Sequence, residues 1–76
     1  MPGRLPRITG SDLMAALKRD GWRVARIRGS HFMLEHPTRA GRPVVPVHSG
    51  QILAPGLLKD ILSDAGMDVD RLRDLL

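Results

Sequence analysis

Three histidines, His31, His36 and His48, are the side chains of this cysteine-free sequence suited to moving protons near neutral pH. His31 follows Gly29-Ser30. A glycine followed by serine fits a two-residue type II′ hairpin, in which the glycine supplies the positive φ. The residues flanking such a turn oppose one another on one face, with Cβ atoms about 5 Å apart. Here they are Arg28 and His31. Arginine holds a phosphate through paired N–H donors, and a neighbouring positive charge favours the neutral imidazole that accepts a proton. In RNA the 2′-hydroxyl beside each phosphate is an internal nucleophile. A base that takes its proton drives attack on phosphorus without a metal. The plain alternative is a surface histidine beside a turn.

Other chemistries find less support. A metal nuclease wants clustered carboxylates, yet Glu35 is the only acid between residues 21 and 59. His31 and Glu35 stand four residues apart, about 13 Å along a strand, too far for a direct pair. The three histidines do not match zinc-finger spacing, and His31 and His36 point to opposite faces of any regular strand that holds both. Neither Ser30 nor Ser49 has an evident acid and base beside it. No glycine-rich nucleotide loop is present. The sequence therefore predicts no metal and no cofactor. His48 is open to two readings, a second proton-transfer or phosphate-binding group or a strand-end hydrogen-bonding residue. Trp22 offers a ring for stacking on a base, although packing in the core or at its rim is the stronger reading.

The elements that must position these residues follow from periodicity. Residues 1–8 carry two prolines and a glycine and read as irregular. Thr9 and Asp12 form a capping-box variant before Leu13, Ala16 and Leu17 at helical spacing, with Gly21 as the stop, which predicts a helix over 10–20. Residues 22–28 and 31–36 read as strands of one hairpin. Its register pairs Ile27 with Phe32, Arg26 with Met33 and Ala25 with Leu34. That gives an apolar face of Ile27, Phe32, Ala25 and Leu34, and an open face of Arg28, His31, Arg26 and Glu35; a one-residue bulge would exchange the faces. Residues 43–48 read as a third strand, at a sheet edge because Pro46 cannot donate a ladder bond. Pro55 opens a second helix, Leu58, Ile61, Leu62 and Ala65 form its buried stripe, and Gly66 closes it. A last short helix runs from Asp68 with Val69, Leu72 and Leu76 inward. This is an α+β order, helix, three-stranded antiparallel meander, helix, with the helices covering one face of the sheet.

Composition sets the outer bounds. At 76 residues the chain reads as one domain with one core and a shallow surface site. Residues 1–50 hold nine basic and three acidic side chains, whereas residues 51–76 hold three and five. Ten of the twelve basic residues are arginine, and an uneven basic half points to a polyanion, most commonly nucleic acid. Asp60, Asp64, Asp68, Asp70 and Asp74 read as a solvated acidic face. No apolar run approaches the roughly 20 residues that span a bilayer, and Met1-Pro2-Gly3-Arg4-Leu5-Pro6-Arg7 lacks the apolar stretch of a secretory signal. A cysteine-free chain of this kind is expected in a reducing cytoplasm.

The combination of Gly21-Trp22, Gly29-Ser30-His31, Val45-Pro46-Val47-His48-Ser49-Gly50 and Pro55-Gly56 resembles the HicA (YcfA-like) toxin family. The resemblance runs from Thr9 to Leu76. It implies an α-β-β-β-α fold similar to a double-stranded-RNA-binding domain, activity as an mRNA interferase, and a HicB-type antitoxin partner. It makes His31 the catalytic histidine, with Gly29 and Ser30 shaping its turn, and gives His48 no equally firm role. Trp22 stands where the family more usually has phenylalanine, and Gln51-Ile52-Leu53 is more apolar than the usual segment. The expected RNA contacts are Arg26, Arg28, Ser30 and His48. Two rival readings remain: a catalytically silent RNA-binding module, and a regulatory component that reaches DNA only through its antitoxin complex.

Overall fold

A computed structural model describes residues 4–76, so the irregular segment expected over 1–8 lies partly outside the described residues. The order is α1 (Gly10–Arg19), β1 (Arg23–Arg28), β2 (His31–Glu35), β3 (Val44–Pro46), α2 (Pro55–Ala65) and α3 (Val69–Leu75). It is the α-β-β-β-α order read from the sequence, with a terminal turn of helix added. The strands form one antiparallel sheet in the order β1-β2-β3. Among the described residues no helix is long and apolar enough to cross a membrane.

The capping box forms as the sequence predicts. Asp12 N–H donates to Thr9 Oγ1 at 3.1 Å, and Thr9 N–H donates to Asp12 Oδ2 at 3.1 Å. These bonds satisfy two backbone donors at a helix end that has no internal partner for them. Leu13 and Leu17 of α1 meet Leu34 and Val45 of the sheet, Leu58, Ile61 and Leu62 of α2, and Leu72 of α3 in one buried cluster. Full burial of each such side chain contributes about 1.5–3 kcal/mol.

Four expectations need correction. The hairpin register holds for Arg28–His31, Ile27–Phe32 and Arg26–Met33, but a bulge then shifts it, so Leu34 pairs with Val24 and not with Ala25. Val24 thus packs on the core while Ala25 is exposed. Ile27, assigned to the core face, is 56% exposed near the tip of the hairpin, two residues before Gly29. The third strand spans only Val44–Pro46 rather than 43–48. In α3 it is Leu75, not Leu76, that turns inward beside Leu72.

Two features tie the elements together. Asp20, at the end of α1, keeps its side chain only 6% exposed and accepts hydrogen bonds from Arg39 and Arg71, each at 3.1 Å. It thereby fastens the 36–43 loop and α3 to α1. Gly10 packs against the end of β3 so closely that an added Cβ would overlap the carbonyl oxygen of Pro46 and stand 3.1 Å from Val47 Cα. Backbone on both sides leaves no rotamer to relieve the clash. Gly10→Ala is therefore expected to destabilise the fold by about 1–3 kcal/mol. At about 4–8 °C per kcal/mol for a chain of this size, that is a Tm loss on the order of 10 °C. An unchanged Tm would show that α1 and β3 separate freely.

Candidate active site

The hairpin that carries His31 forms as its sequence requires. Gly29 has φ +61°, and no non-glycine residue has positive φ among the described residues, so Ser30 does not. This is the pattern of φ signs that a type II′ turn needs. A side chain at Gly29 would meet nothing within 4 Å, so backbone conformation and not space reserves the position for glycine. Arg28 and His31 are direct partners across the turn, and both are exposed.

β2 is the middle strand, which gives His31 two different flanks. On the β1 side lie Arg26 and Arg28, both exposed and in no salt bridge among the described residues. The other arginines near the sheet are committed. Arg23 Nε donates to Glu35 Oε2 at 2.9 Å, Arg39 binds Asp20, and Arg42 donates to the carbonyls of Ala40 and Gly41. Uncommitted guanidinium groups beside an exposed imidazole suit a phosphodiester, because each can present two parallel donors to phosphate oxygens.

On the β3 side, His31 pairs with Pro46. The two share an open groove of about 510 Å³ with His48, Val44, Ile52 and Leu57. The groove is mostly apolar, and Ile52 and Leu57 are 45% and 41% exposed. This wall is absent from the sequence reading of the site. Val44 shares the face of His31 through the β2–β3 register, which no local pattern in the sequence gives. For Ile52 it was the unusually apolar Gln51-Ile52-Leu53 segment. Leu53 is buried, held by its N–H donating to the carbonyl of Ile8 at 2.8 Å, and Ile52 is left facing the groove.

The 47–48 segment is tied to the turn at two points. Val47 N–H donates to the carbonyl of Ser30 at 2.8 Å, and Ser30 Oγ lies 3.4 Å from His48 Nε2. The structure thus brings His48 to the side of the turn that holds His31. His36 stands apart. Its Nδ1 accepts the N–H of Thr38 at 3.1 Å, so Nε2–H donates to the carbonyl of Asp20 at 3.0 Å. Its ring meets Trp22 edge-on at 5.0 Å between centroids. Trp22 is 2% exposed, which makes it a core residue and removes it as a base-stacking platform. Among the described residues no three His, Asp or Glu side chains gather as a metal ion would require.

The family model for the HicA toxin of bacterial toxin–antitoxin systems matches residues 10–67, from the first residue of α1 to just beyond α2. The chain belongs to the HicA toxin family. No curated protein matches it. The matched residues take in the hairpin, both groove histidines and the apolar wall. Membership makes the chain a toxin whose action is opposed by an antitoxin.

Proposed function

We propose that this HicA chain is an endoribonuclease that cleaves mRNA in the cytoplasm without a metal ion. His31 takes the proton from a 2′-hydroxyl, and the freed oxygen attacks the adjacent phosphorus. Arg26 and Arg28 hold the phosphate, Ser30 and Gly29 fix the turn that aims the imidazole, and His48 contacts the RNA from the groove side. The observation that carries this reading is the pairing of exposed His31 with exposed Arg28 across the II′ turn, beside a second uncommitted arginine on β1. Because Glu35 is the one carboxylate on the sheet and is bound to Arg23, cleavage is expected to persist in excess chelator at the rate seen with magnesium. Activity lost in chelator and restored by magnesium, with the RNA fold controlled, would contradict this chemistry.

The same face explains inhibition. A HicB-type antitoxin needs only to cover His31 and its arginines, and an acidic or aromatic-bearing surface does so best. Electrostatic complementarity makes such association fast and salt-sensitive. Protection mapping of the complex is expected to shield Arg26, Arg28 and His31; an antitoxin seated on α2 alone, with this face open, would refute occlusion.

A further inference from the structure

In-line cleavage of RNA needs a second proton transfer, because the departing 5′-oxygen is a poor leaving group as an alkoxide. We infer that His48 supplies that proton, so that the site works as a pair of histidines. The inference rests on the proposed ribonuclease reading and adds a role that His31 cannot fill in the same step.

Three observations carry it. First, among the described residues His31 and His48 are the only titratable side chains lining the groove. Second, His48 is held to the turn that carries His31 by the bond between Val47 N–H and the Ser30 carbonyl and by the approach of Ser30 Oγ to His48 Nε2. The contact to Ser30 is made at Nε2, and Nδ1 makes no hydrogen bond among the described residues. One ring nitrogen thus orients the imidazole while the other is available to substrate. Third, His31 and His48 line one groove from different elements, His31 from β2 and His48 from the segment after β3. In-line displacement puts the 2′-oxygen and the 5′-oxygen on opposite sides of phosphorus, so a phosphate seated between the two imidazoles meets the base on one side and the acid on the other.

The step balances. The 2′-hydroxyl gives its proton to neutral His31 and its oxygen forms a bond to phosphorus. The bond from phosphorus to the 5′-oxygen breaks with its electron pair, and that oxygen takes a proton from the imidazolium of His48. The products are a 2′,3′-cyclic phosphate and a free 5′-hydroxyl. The two histidines end in exchanged protonation states and reset through water.

The test uses the full chain freed of antitoxin and two RNAs that differ at the scissile linkage, one natural and one with sulfur in place of the bridging 5′-oxygen. A thiolate leaves without a proton. His48→Ala is expected to cut the natural RNA about 100-fold more slowly than the parent or worse, yet to cut the sulfur RNA within a few-fold of the parent. His31→Ala is expected to be slow on both, because both still need the base. His48→Gln keeps a hydrogen bond for Ser30 but has no proton to give, and it is expected to behave as His48→Ala; thermal unfolding confirms that each variant is folded. Equal slowing of His48→Ala on both RNAs, or recovery of natural-RNA cleavage in His48→Gln, would overturn the acid role in favour of binding or positioning. Parental cleavage of the natural RNA by His48→Ala would remove the residue from the mechanism. If His31→Ala alone were fully active, the base assignment would fail separately. A parent that cut neither RNA would overturn the ribonuclease reading and this inference with it.

Discussion

Replacing His31 by alanine is expected to leave the HicA fold intact while lowering RNA cleavage by about two orders of magnitude or more, the typical contribution of a positioned acid–base group. The side chain is exposed beside a turn and pairs with Arg28 and Pro46 on the open face of the sheet. Its removal creates no buried cavity, so the stability change is expected to be about 0.5 kcal/mol or less. RNA affinity is expected to fall far less than cleavage, because Arg26 and Arg28 still neutralise phosphates. Thermal unfolding, RNA binding and cleavage measured on the same preparation separate the outcomes. A variant that fails to fold would make His31 a structural residue. A folded variant that cleaves at the parental rate would take it out of the chemistry. A parent that binds RNA tightly and never cuts it would make the chain a silent RNA-binding module.

Much of the frame around His31 was legible because it depends on local geometry. Gly29-Ser30 fixed the turn type, the turn type fixed the partners Arg28 and His31, and two further pairs followed from the two-residue period of strands. Thr9 and Asp12 marked the start of α1 by a bond pattern that spans only three residues. What escaped depends on tertiary contact. The bulge at Ala25 inserts one residue with no glycine to announce it, and it turns Val24 inward in place of Ala25. Gly10 looked like an ordinary residue after a cap, and its approach to Pro46 exists only once α1 lies on β3. Asp20 resembled any polar residue at a helix end, whereas Arg39 and Arg71 converge on it from 19 and 51 residues away. The groove was hidden for the same reason. Its walls come from β3 and from residues 51–57, whose docking no local pattern records. The arginines also sorted themselves only in three dimensions. Charge alone treated the basic half as uniform, while the structure commits Arg23, Arg39 and Arg42 to partners and leaves Arg26 and Arg28 exposed.

The second large effect expected lies in the substrate. If His31 acts on a 2′-hydroxyl, that hydroxyl is the nucleophile, and no water or protein group replaces it. A base with a proton to remove and no oxygen behind it does nothing, so loss of this one group is expected to abolish cleavage rather than slow it by the smaller factor of a lost contact. Binding is expected to persist, since phosphates and not the sugar hydroxyl dominate affinity. The most direct measurement therefore compares an RNA cut at a mapped linkage with the same RNA carrying a single 2′-deoxynucleotide on the 5′ side of that linkage. Both are incubated with antitoxin-free toxin, and the product ends are identified. The expected result is cleavage of the all-ribose RNA to a 2′,3′-cyclic phosphate and a 5′-hydroxyl, with the deoxy-substituted RNA bound but uncut at that linkage. Cleavage of the deoxy-substituted linkage, or products ending in a 3′-hydroxyl and a 5′-phosphate, would contradict the mechanism built on His31.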